Sequence, residues 1–162
     1  MPARKKGSSK AKAARRPQDA IALLRADHAL VEDLFEQFEK ARNAGRKQTL
    51  ATQICLELKI HTQIEEEIFY PAVRQVLPKE KDLLDEANVE HASAKDLIEQ
   101  IEAGEPAEDY WDAKVTVLGE YVQHHVKEEQ NELFPKVRKT RLDLKALGEQ
   151  LRVRKEELQN AT

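Results

Sequence analysis

The chain has 162 residues, 40% apolar and 35% charged, which suits one globular domain with more charge than usual. Five Gly and six Pro argue against a turn-rich β-fold, and the single Cys55 excludes an internal disulfide framework. No apolar run approaches the ~18 residues of a membrane span, no signal-peptide pattern opens the chain, and the lone cysteine suits a reducing, cytoplasmic setting.

The net charge of −3 averages two unlike pieces. Residues 1–17 hold seven basic residues and no acid, leaving 20 basic against 30 acidic residues beyond them. This tail has no large apolar residue after Met1, so it is expected to be disordered. A basic arm can touch nucleic acid by counterion release, but no aromatic residue is interleaved to stack on bases, so that signal is weak. A solubility tail, or one folding back on the acidic body, is the plainer expectation.

The elements follow in chain order. Ile21, Leu24, His28, Val31, Phe35 and Phe38 step by 3, 4, 3, 4, 3, one stripe of a helix with His28 inside it. Asn43-Ala44-Gly45 reads as its stop, with Gly45 available as a left-handed cap. A second stripe runs Leu50, Ile54, Leu58, His61, Glu65, Ile68, with Pro71 near its end. A third runs Leu84, Ala87, His91, Ala94, Ile98, Ile101 and ends at Gly104. Pro106 is then expected in the first turn of the next helix. That helix carries Trp111, Val115, Leu118, Val122, His125, Glu129 and Leu133, with Pro135 near its end. Short connections make sequential helices antiparallel neighbours, so residues 18–138 are expected to form an all-α, up-down-up-down four-helix bundle. Residues 139–162 form a charged amphipathic stretch, expected as an additional C-terminal helix packing on the bundle or on a second chain.

The second half of the bundle repeats the first. His28 and His91 are 63 apart, while His61 and His125, Glu65 and Glu129, and Pro71 and Pro135 are each 64 apart. His and Glu at i, i+4 share one helical face. Two such helices, with one further inward His from each partner helix, place four imidazoles and two carboxylates at one level. A carboxylate can bridge two cations and imidazoles can fill terminal positions, as in di-metal sites of helical bundles. This donor set suits iron first, with manganese or zinc also accommodated. A single His-x-x-x-Glu carries little information in so acidic a chain; the paired register carries the argument. His124 neighbours His125 and so points about 100° around the helix, away from the stripe. Cys55 has no flanking cation to activate it and is read as an inert, half-buried thiol.

These residues resemble the hemerythrin family, specifically its hemerythrin-like HHE cation-binding domains. The resemblance rests on His28, on His61-x-x-x-Glu65 with Glu66, Glu67 and Phe69-Tyr70-Pro71, on Glu90-His91, and on His125-x-x-x-Glu129 with Leu133-Phe134-Pro135. It implies a four-helix bundle with two non-haem irons joined by an oxygen bridge. His28, His61, His91 and His125 would then be terminal ligands, and Glu65 and Glu129 bridging carboxylates. Oxygen-carrying hemerythrins have a further His four residues after the third-helix His, where this chain has Lys95. Tyr121, Glu57 and Glu66 are candidates for the missing donor or an outer contact, and Glu32 is a weaker one. Three functions are compatible: binding or sensing of dioxygen, nitric oxide or redox and iron state; a catalase- or peroxidase-like enzyme acting on peroxide; or a zinc-stapled structural module.

Overall fold

Asp19 sets the start of the first helix. Its extended backbone lets the side chain accept from the Ala22 amide at 2.7 Å, satisfying a free donor of the first turn, and α1 runs Ala20–Lys40. The structure, a computed structural model, describes residues 18–162; the expected basic tail over 1–17 lies outside the described residues. Asn43 caps α2 (Ala44–Ile64) by accepting from the Arg46 amide at 3.0 Å. The expected left-handed glycine stop does not form. Ala41 leaves α1 in extended backbone, Gly45 lies inside α2, and no described glycine has positive φ. The side-chain cap of Asn43 starts the new helix, so no glycine is needed.

Beyond α2, a wide turn (Glu65–Phe69) leads into α3 (Tyr70–Val76), and a 3-10 turn (Pro78–Glu80) into α4 (Lys81–Ala103). Next come α5 (Trp111–Glu128), a second wide turn (Glu129–Leu133) and α6 (Phe134–Arg138). Pro106 falls in the connection before α5 rather than in its first turn; the helix begins at Trp111, after Tyr110 with φ of 69°. Trp111 is anchored by donating from its indole N–H to the Ile101 carbonyl at 3.1 Å. The final helix, α7 (Leu144–Asn160), is capped by Asp143.

Each wide turn is closed by an i→i+5 bond, from Tyr70 N–H to the Glu65 carbonyl and from Phe134 N–H to the Glu129 carbonyl. The cause lies one residue on. Pro71 and Pro135 have no N–H for the helical ladder, and their rings crowd the carbonyl four residues back. Widening the preceding turn keeps the helix continuous.

Around the bundle, α1 packs on α2, α2 on α4, α4 on α5 and α5 on α1, so the four long helices close a ring. The fold is therefore the all-α bundle expected, and α7 lies across α1 and α2 of the same chain. The apolar core is in two parts. One gathers Leu24, Ile64, Phe69, Leu84 and Phe134; the other gathers Val31, Ile54, Ile98, Trp111 and Leu118. Buried His28, His61, Glu65, His91 and Glu129 lie between them in sequence along each helix. No described helix is long and apolar enough to cross a membrane. Cys55 is fully buried rather than half-buried, and burial pushes its thiol up to about 12, consistent with an inert residue.

The seat of α7 is tight. A Cβ on Gly148 would lie 2.2 Å from the Gln18 carbonyl oxygen and 2.8 Å from the Ala20 nitrogen. Backbone atoms there have little room to yield. Gly148→Ala is therefore expected to lower stability by about 1–3 kcal/mol. A urea midpoint equal to that of the parent would show that α7 does not seat this closely.

Candidate metal centre

Helical spacing delivers one imidazole from each long helix to the centre, and the four meet as two matched pairs. His28 Nε2 and His61 Nε2 are 3.2 Å apart, as are His91 Nε2 and His125 Nε2. Ring centroids in both pairs are 4.8 Å apart, with interplanar angles of 67° and 64°. The internal repeat of the sequence is thus a pseudo-two-fold in space.

Both carboxylates span the two pairs. Glu129 places Oε1 3.2 Å from His28 Nε2 and Oε2 3.2 Å from His125 Nε2. Glu65 Oε1 lies 2.6 Å from His61 Nε2 and 3.6 Å from His91 Nε2. Donor atoms of His28, His61, Glu65 and Glu129 fall within 4.8 Å of one another, and so do those of Glu65, His91 and His125.

The outer nitrogens of all four rings face an oxygen, two of them within hydrogen-bond distance. His28 Nδ1 faces Gln130 Oε1 at 2.9 Å, and His61 Nδ1 faces Asp27 Oδ2 at 3.0 Å. His91 Nδ1 faces Glu66 Oε2, and His125 Nδ1 faces Glu90 Oε1, both at 3.6 Å. At His28 and His61 an acceptor within hydrogen-bond distance favours the tautomer that keeps the proton on Nδ1 and turns the Nε2 lone pair to the centre, while Glu66 and Glu90 act on His91 and His125 by charge across a longer gap. These acceptors obey the repeat: Asp27 matches Glu90, and Glu66 matches Gln130. The sequence reading named Glu66 but missed Asp27, Glu90 and Gln130 in this role. The repeat offset is the signal that finds them.

Do these residues fit a cation? Both Glu65 oxygens and Glu129 Oε1 are buried without a hydrogen bond. The imidazole nitrogens beside them are close but not aligned as donors, as expected when lone pairs converge on a common point. Leaving buried carboxylates unsatisfied is costly, and a coordinated cation removes the cost. The same demand for positive charge acts on the imidazoles. Burial pushes His61 down, but Glu65 and Asp27 outweigh it and lift it to about 10. Burial likewise lowers His125, while Glu129 and Glu90 raise it to about 11. The donor set therefore fits metal cations, and its donor atoms fall into two groups that share Glu65.

Tyr70 is a site residue to which the sequence motif assigned no role. Its hydroxyl donates to Glu129 Oε2 at 2.6 Å and lies 3.3 Å from both His91 Nε2 and His125 Nε2. At 100° per residue it would point about 140° away from Glu65; the wide turn after Glu65 brings it back toward the centre. Burial, Glu129 and Glu65 hold its phenol well above the usual range, so the proton stays on Oη while those charges are uncompensated. The matching position in the second half is Phe134, whose ring stacks on His28 with centroids 6.0 Å apart. One pair thus gains an oxygen donor that the other lacks.

The other candidates sit elsewhere. Tyr121 is half exposed, Glu57 is half-buried and outside the converging donors, and Glu32 is exposed. Glu66 approaches only the outer nitrogen of His91 and is held by Lys95, which donates to its oxygens at 2.6 and 2.8 Å. His124 is exposed and pairs with Glu128.

Three likenesses to known proteins accompany this geometry. The family model described as the hemerythrin HHE cation binding domain matches residues 19–137. A Nostoc protein named as a DNA nickase is 31% identical over 118 residues, which are 72% of this chain but 32% of that protein. The chain thus spans about a third of the length of that curated relative. A crystal structure of a hemerythrin HHE cation binding domain-containing protein from Mycobacterium kansasii superposes with a TM-score of 0.76. It is 23% identical, with 89% of each chain covered, and it shows the shared fold. With the family model matching most of its length, this chain belongs to the hemerythrin HHE cation-binding domain family.

Proposed function

We propose that His28, His61, Glu65, His91, His125 and Glu129 hold two non-haem irons, and that the centre binds dioxygen or nitric oxide as a sensor or binder in the cytoplasm. The carrying observation is a cavity of about 30 Å³ against the imidazoles. That space exceeds the ~10–15 Å³ needed for one water, so it admits a diatomic molecule and little more.

The cavity's position follows from the helical register. Val31, Leu58, Ala94 and Val122 each lie three residues from one of the four histidines, and all four line it. Glu65, Glu129 and Tyr70 occupy the opposite side of the ring of imidazoles, next to Phe69 and Phe134. The four aliphatic side chains give a neutral diatomic an apolar surround, and Asp27 and Glu90 also line the cavity. The hydrogen bonds at His28 and His61 Nδ1 help to keep their Nε2 atoms in place for the metal. Iron held there supplies redox chemistry and a coordination position for the ligand. Manganese or zinc would satisfy the same charge demand, and the buried, protonated Cys55 suits a reducing compartment.

Tyr70 favours a second reading, a peroxide-detoxifying enzyme. A phenol oxygen is a hard donor that supports a higher metal oxidation state than imidazole alone. Its proton sits on a hydrogen bond to Glu129, at a position where it can be given up or taken back.

Two measurements test the ligand assignment. His61→Ala and Glu129→Ala are expected to reduce bound metal well below about two per chain, while His124→Ala retains it. Retention in the first two, with loss in the third, would overturn the register argued here. Tyr70→Phe is expected to keep its metal but to change the visible charge-transfer absorption of the oxidised iron form. Unchanged absorption would remove Tyr70 from the metal's donors.

The two readings separate on exposing the anaerobically reduced protein to dioxygen. A reversible near-ultraviolet and visible band is expected for a binder or sensor. Irreversible oxidation, with oxygen evolved from added peroxide, would favour the enzyme. A colourless protein containing only zinc would sink both and leave the structural module.

A further inference from the structure

Every donor in the second half of the centre is preceded by a polar residue: Glu90 before His91, His124 before His125, Glu128 before Glu129. One residue is about 100° of helix, so these three turn together from the inner face to the outer face. Their donor atoms converge within 4.8 Å, and His124 Nε2 lies 3.2 Å from Glu128 Oε1.

The repeat gives this outer cluster a counterpart. The matching residues of the first half are Asp27, Ile60 and Ile64, all buried. There α7 lies across the face, and Lys155 places its ammonium on Asp27 Oδ1. Asp27 and Glu90 do the same work on the inner side, each facing the Nδ1 of a histidine. Only the outer side differs. Asp27 has a cation supplied by the chain; Glu90 has His124 and Glu128, which add an imidazole and a second carboxylate. That set offers a cation three side-chain donors where the first half supplies an ammonium.

The surroundings supply access. A groove of about 680 Å³ between α4 and α5 contains all three residues, with Val89 and Tyr121 exposed along it. Glu90 and Tyr121 line both this groove and the small inner cavity. His125, which Glu90 touches, is the one centre imidazole that is not fully buried. A cleft of one charge sign raises the local concentration of counter-ions and their rate of entry.

We propose that Glu90, His124 and Glu128 form an outer divalent-cation site, from which metal passes by Glu90 into the centre. Imidazole with carboxylates suits Fe²⁺, Mn²⁺ or Zn²⁺, and an exposed site of three side chains binds weakly enough to release its ion. The route rests on the dinuclear reading above; the binding site does not.

The test uses the full chain in two arms. In the first, protein isolated with its centre filled is titrated with Mn²⁺, and free Mn²⁺ is read by electron paramagnetic resonance. About one further Mn²⁺ per chain is expected for the parent, and none at the same concentrations for the double variant His124→Ala/Glu128→Gln. No further Mn²⁺ on the parent, or equal binding by the variant, overturns the site. In the second arm, metal-free protein takes up Fe²⁺ anaerobically. The double variant is expected to fill to the same endpoint at an initial rate about tenfold lower. An unchanged rate overturns the route. If the parent never reaches two metals, the dinuclear reading fails instead, and the Mn²⁺ arm still decides the outer site.

Discussion

Two carboxylates buried in the middle of a helical bundle set the terms for everything around them. Glu65 and Glu129 have almost no exposure and, apart from the Tyr70 hydroxyl, no aligned donor. Such groups are tolerated only where positive charge is near. The chain answers with four imidazoles whose Nε2 atoms ring the carboxylates, and the raised pKa of His61 and His125 shows the same demand for positive charge that a bound cation would meet. The polar layer divides the apolar core in two, and the long helices gain their packing on either side of it.

The duplication supplies the symmetry, and its breaks supply the character of the site. Tyr70 against Phe134 gives one histidine pair an oxygen donor and the other an aromatic face. Helix α7 covers the first half and leaves the second half open. Asp27 is closed off by Lys155, while the equivalent Glu90 stands at the mouth of a groove. Lys95, where oxygen carriers have histidine, is turned to Glu66 and acts behind His91 rather than on the centre. The inner cage is symmetric, but its two histidine pairs differ in the donors beside them and in their access to solvent.

The bundle, its stripes and the convergence of six His and Glu side chains on one level were legible in the sequence because each depends on a local rule. A helix repeats every 3.6 residues, so His28, His61, His91 and His125 had to share faces with apolar neighbours, and His124 had to turn away. Tyr70 was not legible in the same way. Its direction depends on a turn that widens at Pro71, and a constant helical period places it on the wrong side. The Asn43 cap was misread because Gly45 offered an equally good local stop, and only the path into α2 chose between them.

The sequence by itself determined the helical class, the internal repeat and which His and Glu side chains converge at the centre, since side-chain type and helical spacing are properties of nearby residues. The tertiary structure alone decided which acceptor orients each imidazole, how Tyr70 reaches Glu129, and where α7 seats. It also decided that a cavity of about 30 Å³ remains beside the rings. Those features arise from contacts between segments far apart in the chain, such as Lys155 on Asp27, whose separation no local pattern encodes.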